Sequence, residues 1–141
     1  MATELWRLDA VELADLIRRR QASCREATEA ALARLDAVNP RINAVVRPLH
    51  EQALAEATVA DQALARGGPV GPLHGVPVTI KVNVDMAGQP TDNGVVAFKD
   101  LVATRDNPVV ANLRRAGAIV IGRTNTPAFS MRWFTDNALH G

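Results

Sequence analysis

The sequence is poor in the side chains that usually carry covalent chemistry. It holds two serines, Ser23 and Ser130, one cysteine, Cys24, and no tyrosine among 141 residues. A single cysteine excludes an internal disulfide, which fits a reducing compartment. Aromatic residues make up only 4%, too few for a stacking platform that would hold single-stranded nucleic acid. The three histidines, His50, His74 and His140, lie far apart and show no zinc-ligand spacing, and no calcium loop is present. No apolar run approaches the roughly 20 residues that a membrane-spanning helix needs. The N-terminal MATELWRLDAVEL carries acids early and lacks the apolar core of a secretory signal. The formal net charge is +1, and the short runs Arg18-Arg19-Arg20 and Arg114-Arg115 read as solvated helix faces. Together these absences predict a cytoplasmic, soluble protein with no cofactor, no metal, no nucleic acid and no membrane among its partners.

What is present is ordinary globular material. Hydrophobic residues make up 48% and charged residues 22%, enough for one region spanning 1–141 with its own core. Residues 1–68 read as helical. Asp9 with Glu12 and Ser23 with Glu26 are two capping boxes, and Leu8 is placed to staple onto Leu13. Val11, Leu13, Leu16 and Ile17 predict the buried stripe of a helix over about 10–20. Ala27, Ala31, Leu35 and Val38 predict a second helix, with Cys24 as a small buried hydrophobe on it and Asn39-Pro40 as its stop. Ala53, Ala57, Ala60 and Leu64 predict a third over about 50–66, ended by Gly67-Gly68-Pro69.

Residues 69–141 change to an α/β pattern. Val76, Val78, Ile80 and Val82 alternate with Pro77, Thr79 and Lys81, the period of a strand over about 76–82. Asn107 caps a helix that begins at Pro108, presents Val109, Val110 and Leu113 to a core, and ends at Gly117. The run AIVIG at 118–122 is a short apolar strand of the kind buried on both faces of a parallel sheet. Strand, helix, strand in that order is an α/β signature. Two such strands make a thin sheet with too few neighbours for the second. The expectation is therefore the front part of a larger fold. Its unpaired edges invite association, and a homo-oligomer is one expected state.

The nucleophile inventory then narrows the chemistry. Ser23 serves as a cap, Ser130 has no histidine near it in sequence, and neither lies in a Gly-x-Ser-x-Gly elbow. Gly68, Gly71 and Gly75 match no phosphate-binding loop, and His74 reads as a turn residue. Lys81 remains. A lysine on the polar side of a half-exposed strand is ordinarily solvated. Ile80, Val82 and Val84 make its surroundings apolar, however, and burial disfavours a charged ammonium. A neutral lysine is a capable general base, as in the serine–lysine variants of the catalytic triad. Both readings stand on the residues alone.

Three segments carry a resemblance: GPLHGVPVTIKVNVD at 71–85, NPVVANLRRAGAIVIGRTNTPAFS at 107–130 and TDNALHG at 135–141. In this order they resemble the amidase signature family, strongly over about 70–141 and more loosely before. The resemblance implies helices followed by the first strands of a mixed sheet, incomplete here. It implies hydrolysis of a carboxylic amide to acid and ammonia or amine by a Ser–cis-Ser–Lys triad, with a small-molecule amide as substrate and no cofactor. It makes Lys81 the base. Asn83, Thr124, Asn125 and Asp136 match the family pattern and are candidates for ordering the site; turn and cap roles serve equally well for them. The family's two triad serines lie downstream of the TDN…G motif, so the 141-residue chain is expected to be a truncated fragment, inactive alone. Val82 stands where the family often has Asp, and Ala128 where it often has Glu, which touches any role those carboxylates play. Two alternatives accompany this reading. One is the A subunit of the tRNA-dependent amidotransferase, which releases ammonia from glutamine. The other is a non-catalytic interaction or assembly module.

Overall fold

The computed structural model describes residues 4–141. Helices α1 (Ala10–Arg18) and α2 (Cys24–Ile42) lead into strand β1 (Val45–Pro48), helix α3 (His50–Ala65) and strand β2 (Pro77–Lys81). Helix α4 (Pro108–Arg115) and strand β3 (Ile119–Thr124) follow. The three strands form one mixed sheet in the order β1-β3-β2, with β2 parallel and β1 antiparallel to the central β3. The architecture is α/β, helices first and then a small sheet, as the sequence pattern predicts.

Both capping boxes form. Asp9 accepts the backbone N–H groups of Val11 and Glu12 at 2.8 Å, and Glu12 reaches back to the N–H of Asp9. Ser23 and Glu26 exchange the same pair of contacts at the head of α2. Each cap contributes about 1 kcal/mol to its helix.

The side chains of β3 explain why its sequence is continuously apolar. Ile119 and Ile121 join Leu13, Ile17, Cys24, Leu32, Leu35 and Ala53 in one cluster. Val120 joins Ile80, Met86 and Val110 in another. Successive strand residues point to opposite faces, so α1, α2 and α3 cover one face of the sheet and α4 the other. Burying such a strand on both sides supplies roughly 1.5–3 kcal/mol per large aliphatic side chain.

Four expectations need correction. The sheet has a third strand: β1, with the sequence VVRP, is too short and too polar to announce itself, and it gives β3 a neighbour on each side. Helix α2 runs through Pro40 to Ile42 instead of stopping there. The side-chain amide of Asn39 both donates to the Val45 carbonyl and accepts from its N–H, each at 2.8 Å, which holds the residue before the proline helical against its usual preference. Asn43, in the left-handed region at φ 47°, then ends the helix. Val11 is 77% exposed, because it lies about 200° around the helix from Leu13. Val109 is also exposed, since a helix of two turns docks through a single row, Val110 and Leu113.

Candidate active site at the carboxyl end of the sheet

In open α/β sheets, ligands gather outside the carboxyl ends of the parallel strands. Here that end is formed by Lys81 on β2 and Thr124 on β3, which face each other in the parallel register. The Val82 N–H donates to the Thr124 carbonyl at 3.0 Å, the last rung before the strands part. Lys81 lies on the same side of β2 as Thr79, yet Thr79 is exposed and Lys81 half-buried. Lys81 takes no part in an ion pair among the described residues.

Around this edge the chain builds a polar frame. Beyond Lys81 it turns, and Val84 donates its N–H to the Lys81 carbonyl at 3.0 Å. Asn83, inside that turn, donates from Nδ2 to Ser130 Oγ at 2.9 Å, and Ser130 Oγ lies 2.8 Å from Thr126 Oγ1. Asn83 Oδ1 is buried without a partner among the described residues. Asn125 is 6% exposed and works as a clasp. Its Oδ1 accepts from the Thr126 N–H and from Asn137 Nδ2, both at 2.8 Å, while its Nδ2 donates to the Gly141 carbonyl at 3.0 Å. The structure thus brings Lys81, Asn83, Thr124 and Asn125 to one end of the sheet. The Asp136 side chain is on the surface in an ion pair with Arg132 at 2.9 Å.

Four residues of the frame are not evident from the sequence reading. Arg123 is fully buried at the end of β3 and spreads its guanidinium over backbone carbonyls. Its Nη2 donates to Val84 at 2.8 Å and Lys81 at 3.1 Å, its Nε to Ile80 at 3.3 Å and its Nη1 to Pro90 at 3.3 Å. Burial pushes this guanidinium below its ordinary pKa, and Arg47 adds to the effect, whereas Asp92 and Asp85 oppose it. Asp92, equally buried, accepts from the Gly94 N–H at 2.9 Å and lies 3.1 Å from His140 Nε2 and 3.6 Å from Arg47 Nη2. Asn137, through its contacts to Asn125 and to the Thr126 carbonyl at 2.7 Å, ties the last segment to the strand end. The signal for Arg123 was available: a charge at the tail of an apolar strand must find partners inside. Asp92, Asn137 and His140 gave none, because each sits in a loop whose partners are distant in sequence.

A surface cavity of about 530 Å³ opens elsewhere, lined by Arg20, Ser23, Glu26, Asp61 and Leu64, with no residue from the sheet. No group of His, Cys, Asp and Glu among the described residues could hold a metal ion. No described helix is long and apolar enough to cross a membrane.

Comparison with known proteins identifies the family. The family model described as Amidase matches residues 26–141. An indoleacetamide hydrolase from Bradyrhizobium diazoefficiens is 57% identical over 97% of this chain, which covers 26% of that protein. A bacterial aryl acylamidase of the amidase signature enzymes superposes with a TM-score of 0.89 at 29% identity, over 95% of this chain and 28% of its own. Fatty acid amide hydrolase superposes with a TM-score of 0.94 at 25% identity, over 100% of this chain and 25% of its own. The chain therefore spans about a quarter of the length of the relatives it matches. With its helices, its mixed sheet and the three motifs that meet at the strand end, the chain belongs to the amidase signature family.

Proposed function

We propose that residues 1–141 form the lysine-bearing part of an amide hydrolase that acts on a small carboxamide, with Lys81 as the base. The observation that carries this reading is the placement of Lys81. It is half-buried at the carboxyl end of a parallel strand, inside a frame built from the same motifs that carry the family likeness. In the proposed cycle, Lys81 accepts a proton relayed from a nucleophilic serine through a second, bridging serine. The nucleophile forms a bond to the amide carbonyl carbon, the C–N bond breaks, and the leaving nitrogen takes up the proton. Water then attacks the acyl-enzyme by the reverse relay and releases the acid. Backbone N–H groups near the nucleophile would hold the oxyanion.

Neither serine present is available for that relay. Ser23 caps α2, and Ser130 is engaged with Asn83 and Thr126. A polypeptide of these 141 residues is thus expected to show no amide turnover by itself. The 57% likeness to an indoleacetamide hydrolase supports an arylacetamide as the substrate class over the glutamine of an amidotransferase subunit.

The test is a chimera of residues 1–141 joined to the remainder of the indoleacetamide hydrolase, assayed for ammonia release. Release from indoleacetamide and little from glutamine is the expected result. Preference for glutamine would move the reading to the amidotransferase subunit. A folded chimera inert toward every amide offered would favour the assembly module.

A further inference from the structure

Arg123 has a geometry that stability alone does not demand. A buried cation usually meets a carboxylate, and here every hydrogen bond goes to a neutral carbonyl. Those carbonyls are not scattered. Ile80 and Lys81 are the last two residues of β2, Val84 closes the turn that follows, and Pro90 lies on the loop packed behind it. Nη2 alone joins the first and last carbonyls of the Lys81–Val84 turn. Among the described residues β2 has a sheet neighbour on one side only, β3, and its ladder ends at the Val82–Thr124 rung. The guanidinium therefore takes over as the constraint on the backbone where the ladder lets go.

We propose that Arg123 is a positioning residue for Lys81: its planar fork fixes the turn that aims the Lys81 side chain. This rests on the reading of Lys81 as the base, but the effect on Lys81 is measurable without catalysis. A lysine at position 123 would keep a charge and lose the fork, because an ammonium is a single point with three donors on a flexible stem. Arg123→Lys would hold fewer of the four carbonyls, and Arg123→Gln fewer still.

The chain contains only two lysines, Lys81 and Lys99. Lys99 is exposed and paired with Asp100, so it is an internal reference. The 141-residue chain enriched with 13C at the lysine ε-carbons gives two signals. The expected result is a Lys81 signal displaced from that of Lys99, with two distinct ε-protons. Arg123→Lys adds a third lysine signal, assigned by its persistence when Lys81→Ala is combined with it; in that variant the Lys81 signal moves toward the Lys99 position, and in Arg123→Gln the Lys81 and Lys99 signals coincide, while the methyl proton signals of Ile17 and Leu32 on the far face stay put. In the hydrolysing chimera, Arg123→Lys should lower kcat about 100-fold with KM little changed, the size of effect that misplacing a catalytic group produces.

A Lys81 signal that is unmoved in both variants overturns the proposal, as does a wild type whose two signals coincide. If neither variant folds, Arg123 serves the whole fold and the local role is refuted. Failure of the base reading would look different. Lys81→Ala would then leave the chimera active while the Arg123 variants still displaced the Lys81 signal.

Discussion

Modifying Cys24 with a thiol reagent tests the helical layer directly. Cys24 is the only cysteine, it is fully buried at the first position of α2, and it lies against Ile17 and Gly75. Burial first, then the Asp61 carboxylate beside it, pushes its thiol from an ordinary 9.0 to about 12. The thiolate is the reactive species. At pH 8 a thiol at 9.0 is about one-tenth thiolate, and one at about 12 is about one part in ten thousand, a thousandfold difference. Exclusion of the reagent adds to this, so labelling waits for the helices to open. The folded chain should react with an aromatic disulfide reagent at least about 1,000-fold more slowly than the chain in concentrated urea. The pH dependence has a definite sign. The thiol value is raised on folding, so its contribution to stability is complete below about 9 and is lost as pH rises toward about 12. Urea midpoints should fall over that interval, more steeply for the wild type than for Cys24→Ala. Labelling within tenfold of the unfolded rate would refute the packing of α1, α2 and the 71–75 segment around this residue.

Two further substitutions probe the scaffold. Gly75 has φ +78°, and a Cβ there would sit 2.4 Å from Cys24 Sγ, so Gly75→Ala should cost more than about 1 kcal/mol. In a Cys24→Ala background the steric part of that cost should shrink and the backbone part persist, which a double-mutant cycle on urea midpoints would resolve. Asn125→Ala removes the acceptor for the Thr126 N–H and the anchor of Asn137. A loss of about 1–3 kcal/mol is expected, with faster protease cleavage between 129 and 141.

The legible parts of the fold were those governed by local rules. The capping boxes at Asp9 and Ser23, the strand period at 76–82 and the apolar run at 118–122 each depend on neighbours in sequence, and each stands where its pattern put it. β1 was not legible because VVRP becomes a strand only by pairing with residues far along the chain, Gly122, Arg123 and Thr124. The run of α2 past Pro40 has the same origin: Asn39 is held by Val45, a tertiary contact that overrides a local stop. At the strand end the pattern was only partly readable. Lys81 stood out by its motif. Arg123, Asp92 and His140 act through carbonyls and carboxylates dozens of residues away, and composition says nothing of that.

Catalysis in the proposed cycle depends on Lys81. The decisive measurement is the rate of ammonia release from indoleacetamide by the chimera, with Lys81 intact and with Lys81→Ala. Loss of a triad member should lower kcat by about 1,000-fold or more with the protein still folded. An alanine variant within tenfold of the parent would contradict the assignment of Lys81 as the base.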